Sequence, residues 1–341
     1  MAALFVSCLL AAVLGFAAHR ASVCTVRAVT ELIFSRTGYM FLSIAKSSMW
    51  VLVITLPFFW LMPAESTKLG GWRLTEVAIL GGFSFGVGAG LNGACAFSTM
   101  ARIVDGEVRM LLTVVGFALG VLSYVMLVNR QWLMRPVASP ALVGMLLDWT
   151  MAAGIALLIW AAYELVRLWR TRPAGSSVVE MILAPQYRLS TSAMVIGVAG
   201  SAIFLNFGSP GYTATLQNLI EGYIGEQSPP AFERLVLFIA VFLGMLLSTI
   251  QRGSFRLDWL PRLSWLRNLG GGTLMGFGTA LLPGGNDALV LYGIPSLSPH
   301  ALPAFVTMVI GIAAAVWSLR HFGFEMRVTC RNDLYIADVK R

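Results

Sequence analysis

Apolar residues in this chain run in long stretches rather than alternating with polar ones. Runs can be drawn at about 1–18, 39–62, 108–128, 141–169, 191–208, 232–250 and 301–320. Each is long enough to cross a hydrocarbon core of roughly 30 Å as a helix. None shows the period of two that marks barrel strands, so the pattern predicts an all-α integral membrane protein. Two further apolar regions, 74–104 and 269–297, are rich in glycine, and a short piece, SVCTVRAVTELIF, follows the first run. An unpaired backbone N–H or C=O in hydrocarbon costs on the order of 2 to 7 kcal/mol, so these regions are expected as broken helices inside the bundle.

Composition agrees with this reading. With 57% hydrophobic and 12% charged residues and a mean hydropathy of +0.78, the 341 residues have too little polar surface to cover a soluble globule. The net charge of +8 does not point to nucleic acid, because the 24 Lys and Arg mostly flank apolar runs. Their clusters at 19–36, 167–188, 252–267 and beyond Arg320 read as cytoplasmic, and 209–231, which has no Lys or Arg, reads as external. MAALFVSCLL carries no basic residue ahead of its apolar core, unlike a signal peptide, which places the N-terminus outside and the C-terminus in the cytoplasm. Seven to nine crossings fit, depending on how the two broken regions are assigned.

The broken regions resemble each other. GGFSFGVGAGLNGAC (81–95) aligns with GGTLMGFGTALLPGGN (271–286): Gly86 falls on Gly276, Gly88 on Gly278 and Leu91 on Leu281, and one inserted residue brings Cys95 opposite Asn286. HRASVC (19–24) aligns with QRGSFR (251–256). The chain therefore divides into a first membrane repeat at 1–165, a basic cytoplasmic linker at 166–190, a second repeat at 191–320 and a cytoplasmic tail at 321–341. An odd number of crossings per half inverts one against the other and sets a transport site at the midplane.

Where a helix breaks and restarts, its first N–H groups lack partners and favour an anion. LNGAC and LPGGND supply such breaks through Asn92, Gly93, Pro283, Gly284 and Gly285. Cys8, Cys24, Cys95 and Cys330 show no metal-binding spacing, and no cofactor is implied. Cys8 is most simply a packing residue, and Cys330 an ordinary reduced thiol in a tail whose alternation around Asn332-Asp333 predicts a small surface hairpin.

At these residues the chain resembles the YeeE/YedE family of bacterial inner-membrane proteins, whose better-understood members take up thiosulfate. The resemblance spans about 1–320 and rests on NGAC, LPGGND and the Arg-x-x-x-Cys after the first run. It implies two inverted halves whose short helices meet at a constriction, where cysteines pass the anion inward through S–H hydrogen bonds. It also implies a partner, a cytoplasmic sulfur carrier of the TusA type, for which the basic face is a suitable dock. Carried onto this chain, the first family cysteine is Cys24 and the second is Cys95. The third position holds Asn286, an amide with donor and acceptor capacity but no thiol. That departure leaves the substrate open between thiosulfate and a related sulfur or selenium oxyanion.

Other polar residues carry simpler expectations. Lys46 is expected to snorkel to an interface, Asp148 to pair with a neighbouring helix, Glu164 to sit beside Arg167, and His300 to cap the last span. Asp287 adjoins the anion path and is expected to accept backbone or side-chain donors as a clamp. Two other functions fit fewer features: a membrane thiol oxidoreductase using Cys24 and Cys95, and a membrane scaffold that transports nothing.

Overall fold

The computed structural model describes residues 2–62, 64, 70–140, 142, 147–172, 177–208, 211–225, 227–259, 264–321, 323, 327–331 and 333–338. It is a helical bundle, with eight spans among the described residues long and apolar enough to cross a membrane. Helix α1 (Ala2–Ala21) breaks at Ser22, whose φ of 53° is left-handed, and resumes as α2 (Thr25–Thr30), which widens into a π-helix over Glu31–Ser35. Helix α3 (Tyr39–Leu61) begins on the buried Glu31 carboxylate, which accepts the N–H groups of Tyr39 at 3.0 Å and Met40 at 2.9 Å. Those two N–H groups would otherwise be orphans of the first turn.

Strand β1 (Gly70–Trp72) leads to α4 (Glu76–Asn92), α5 (Ala96–Val104) and α6 (Arg109–Asn129). Gly93 ends α4 in the left-handed conformation, φ 71°, that a residue with a Cβ adopts only at a cost. Strand β2 (Ala138–Pro140) pairs antiparallel with β1 and is followed by α7 (Leu147–Arg170) and α8 (Val178–Leu183). Helices α9 (Leu189–Phe207), α10 (Tyr212–Tyr223), α11 (Phe232–Arg252) and α12 (Ser264–Leu281) come next. Past Pro283 and Gly284 lie α13 (Asn286–Ala288), a π-helical stretch over Leu289–Gly293, and α14 (Ala301–His321). The chain closes with the hairpin β3 (Arg327–Arg331) and β4 (Leu334–Asp338).

The broken helices form the centre. Helix α4 packs on α12, α6 on α12 and α14 on α4, while α1 packs on α11 and α9. The α4–α12 crossing is built on glycine. A Cβ on Gly81 would meet Gly278 O at 3.0 Å, and one on Gly88 would meet Gly271 O at 2.5 Å. The same logic seats Gly86 on the backbone of Met308 and Gly276 on that of Phe117. Between helices in lipid, such close approach supplies the van der Waals contact that the hydrophobic effect does not. Helix α7 lies outside this core and shows Met151, Ile155 and Ile159 to its surroundings, as a lipid-facing helix should.

The two aligned segments meet: after Arg252 the chain leaves α11 at Gly253, Ser254 donates to Asp105 at 2.6 Å, and Arg20 donates to Gln251 at 2.8 Å. One local expectation changes. The terminal hairpin is not a surface ornament. Asp333 accepts Ser190 N–H at 3.2 Å, its carbonyl accepts Leu189 N–H at 2.8 Å, and Tyr335 lies 4.7 Å beneath the Arg27 guanidinium. The hairpin satisfies the first turn of α9, which has no other cap.

Candidate functional site

Four chain breaks converge. Cys24 precedes α2, Cys95 precedes α5, Tyr212 opens α10 and Asn286 opens α13. All four line one cavity of about 50 Å³, with Thr25, Ser47, Asp287 and apolar side chains completing the wall. That space admits a few waters or one small anion. Among the described residues, neither Lys nor Arg lines it.

The Cys24 and Cys95 thiols line the cavity together as neighbours that act on each other electrostatically, and each is 1% exposed. The N–H groups of Arg27 and Ser98, the third residue of each helix, face the sulfurs without closing a cap. The free donors and positive helix ends thus stay turned toward the cavity. Asn286 Nδ2 donates to Thr25 Oγ1 at 3.3 Å, joining α13 to α2, while its Oδ1 is buried without a partner. Asp287 is held by Thr213, whose hydroxyl donates to one carboxylate oxygen and whose N–H donates to the other at 3.3 Å. The Thr213 oxygen in turn accepts Gly285 N–H at 2.9 Å. With both oxygens engaged, the carboxylate acts as a tie between α10 and α13.

The remaining sequence-selected residues lie beside the cavity rather than in its wall. Asn92 is fully engaged: its amide donates to Ala94 O and Thr99 at 3.0 Å each, and its oxygen accepts from Thr113 and Asn268 at 2.7 Å each. It fastens α4 to α5, α6 and α12. Gly93 and Gly284, φ 122°, make the turns that deliver Cys95 and Asn286, and Gly285 makes room for Thr213. Lys46 does not snorkel; it pairs with Glu164 at 2.5 Å and donates to Ser190 at 3.1 Å. Glu164 also pairs with Arg167 at 3.2 Å. Asp148 lies outside the residues whose side chains are described.

A family model described as Sulphur transport matches residues 20–314. The chain belongs to this family, YeeE/YedE. Comparison with curated proteins gives no match. Family membership and the multi-span helical fold together mark a membrane protein of sulfur-compound transport.

Within this family member, sequence reasoning missed Tyr212 and Thr213. Their signal was present: Ser-Pro-Gly at 209–211 follows a long apolar run, much as Ser-Val-Cys at 22–24 follows the first. Tyr212 is 5% exposed, its ring lies 5.0 Å from that of Phe97, and its hydroxyl has no partner. Arg102, which donates to Gly93 O at 3.2 Å, and Arg27 act electrostatically on Cys24 from outside the cavity.

Proposed function

We propose that the chain imports a small sulfur-containing anion, thiosulfate or a related sulfur or selenium oxyanion, through the cavity in which Cys24 and Cys95 meet. The observation that carries this reading is the pairing of two buried thiols from separate broken helices in a cavity without a cation. A polarizable S–H touches a soft anion weakly, whereas a guanidinium in the wall would hold it, and conduction requires release as well as entry. The Tyr212 hydroxyl and the Asn286 amide are the wall's unspent polar groups.

Two inverted halves fit the same reading. Gly81 and Gly88 in α4 answer Gly271 and Gly278 in α12 by sequence, yet the contacts run Gly81 to Gly278 and Gly88 to Gly271. That reciprocity is expected of a pseudo-two-fold axis. Counting α12 with α13 as a further crossing puts the termini on opposite faces, with the basic one cytoplasmic. An acidic or persulfide-bearing TusA-like carrier suits that basic face as the recipient of the sulfur.

The test is growth of a bacterial strain lacking other sulfate and thiosulfate uptake on single sulfur sources, with and without this protein. Cys24→Ala and Cys95→Ala should each lower uptake without lowering the amount of protein in the membrane. Normal uptake by the double variant would sink the thiol route. The nearness of the two thiols also favours one rival, a redox pair that gives up two electrons and two protons to a quinone as Cys24 and Cys95 join. A Cys24–Cys95 disulfide that forms on turnover with quinone, seen by mass spectrometry, would select that rival.

A further inference from the structure

The wall of the thiol cavity limits the charge of what enters it. Among the described residues its one charged group is the Asp287 carboxylate, which is buried and accepts from the Thr213 hydroxyl at one oxygen and the Thr213 N–H at the other, as an ionised acid does. The two cations that act on Cys24 from outside the cavity are engaged elsewhere. Arg27 donates to Ser22 O at 3.3 Å and lies 4.7 Å over the Tyr335 ring, while Arg102 donates to Gly93 O at 3.2 Å and lies 3.9 Å from Glu107. An anion in this cavity therefore meets no counter-ion. The cost of taking a charge out of water grows with the square of the charge, so a dianion costs about four times what a monoanion does.

Hydrogen bonding in the wall points the same way. The Tyr212 hydroxyl is buried, has no partner and is free to donate. Asn286 Oδ1 is also buried and without a partner, and it can only accept. Its Nδ2 is spent on Thr25 Oγ1 at 3.3 Å, which leaves the oxygen as the open end of the amide. A buried acceptor needs a donor from whatever occupies the cavity. Thiosulfate and sulfate, which carry no proton near neutral pH, can take the Tyr212 hydroxyl but leave Asn286 Oδ1 unmatched. A singly protonated oxyanion such as hydrogensulfite offers an acceptor to Tyr212 and a donor to Asn286 at once.

Charge also sets the work of import. Each negative charge carried inward moves against an inside-negative membrane potential, so a monoanion meets half the opposition that a dianion meets. A thiol at position 286 would turn a donor to the cavity, whereas the amide held by Thr25 turns an acceptor. The residue that departs from the family pattern is thus the one that distinguishes a protonated occupant from a bare one.

We infer that the cavity takes the singly protonated, singly charged form of a sulfur or selenium oxyanion, with hydrogensulfite as the simplest case, in preference to the dianions thiosulfate and sulfate. The inference rests on the transport reading and names the charge state that its site accepts. The substrate then carries its own proton, and uptake is proton-coupled without a proton-carrying side chain. One hydrogensulfite brings in one net negative charge, and in the cytoplasm it dissociates to sulfite and one proton.

The test is uptake of radiolabelled sulfite and thiosulfate into proteoliposomes of the full chain at clamped membrane potential, with a pH dye inside and protein-free liposomes as the blank. External pH is stepped from mildly acidic to mildly basic, a range in which sulfite loses its proton and thiosulfate has none to lose. Sulfite uptake should be at least fivefold faster at the acid end and should acidify the lumen, while thiosulfate uptake should be at least tenfold slower than sulfite there and flat with pH. Thiosulfate that enters as fast as sulfite overturns the inference. So does a pH dependence shared by both anions, because it places the titrating group on the protein, at Cys24, Cys95, Tyr212 or Asp287. Asn286→Leu, which deletes the acceptor, should lower the sulfite-to-thiosulfate ratio at least tenfold, as should Asp287→Asn, which deletes the charge; an unchanged ratio in both overturns the inference. Should neither variant fold, the wild-type comparison decides. If wild type imports neither anion, the transport reading falls, and calorimetric titration of the purified chain in detergent decides the charge selection alone. Sulfite that binds at least tenfold more tightly at the acid end, and more tightly than thiosulfate, upholds it; equal or absent binding overturns it.

Discussion

Gly88 and Gly271 face each other across the α4–α12 crossing so closely that a Cβ on Gly88 would stand 2.5 Å from Gly271 O, and one on Gly271 would stand 2.7 Å from Gly88 O. Neither neighbour is a flexible side chain that can move aside; both are helix backbone. The two broken helices therefore meet at a distance only glycine allows, and the cavity they frame inherits that spacing. Gly88→Leu should lower stability by about 1 to 3 kcal/mol or more, the range for overpacking. Thermal unfolding in detergent measures it, with Gly270→Ala as the control, since a Cβ there meets nothing within 4 Å. An unchanged midpoint for Gly88→Leu would mean that α4 and α12 are not held in this register.

Asn286 stands where the family resemblance implies a cysteine, and its Oδ1 has no partner among the described residues. Asn286→Ala should slow uptake, because truncation removes a polar group from a dry site where each such loss is worth about 1 to 3 kcal/mol. Asn286→Cys should be tolerated and shift preference toward thiosulfate. Competition between thiosulfate and selenite or sulfite in proteoliposomes reads the shift; identical preference in all three forms would reduce Asn286 to a helix start.

Tyr212 separates stability from function. Its buried hydroxyl has no partner, and an orphan of this kind costs about 1 to 3 kcal/mol. Tyr212→Phe should hold or raise the melting temperature while lowering the uptake rate. A variant that transports as well as wild type would show that the hydroxyl meets no substrate.

Cys330 should resist alkylation. Burial pushes its thiol up to about 12, with the Glu31 carboxylate beside it acting in the same direction, so at pH 8 the thiol stays protonated. Because the thiolate is the reactive form, labelling should run roughly a thousandfold slower than for a free cysteine. Maleimide mass-tagging of native and denatured protein checks this, and rapid native labelling at this position would contradict the docked hairpin.

Asp333 ties the tail to the membrane core. Asp333→Ala removes acceptors from Ser190 N–H and its hydroxyl, at 3.2 and 3.1 Å, and should cost about 1 to 2 kcal/mol, as loss of a helix cap does. Cutting the chain after Phe322 should cost at least as much, because it also uncovers Arg27. Equal melting of wild type and both variants would show that water satisfies the start of α9 as well as the hairpin does.

The membrane class, the long helices and both glycine-rich breaks were legible in the sequence, because apolar run length and the conformational preferences of glycine and proline are local properties. Cys95 and Asn286, which the sequence alignment of the two breaks sets opposite each other, line the same cavity. Tertiary structure decided the partners. Cys24 meets Cys95, Lys46 turns to Glu164 instead of the lipid boundary, and Asn92 becomes a fastening for three helices rather than part of the cavity wall. Tyr212 enters the site only because α10 starts where α13 starts, joined through Thr213 and Asp287. Pairings of this kind depend on how helices distant in sequence cross. That crossing is set by close backbone contact among glycines, and the chain's own order of residues does not say which glycine will face which.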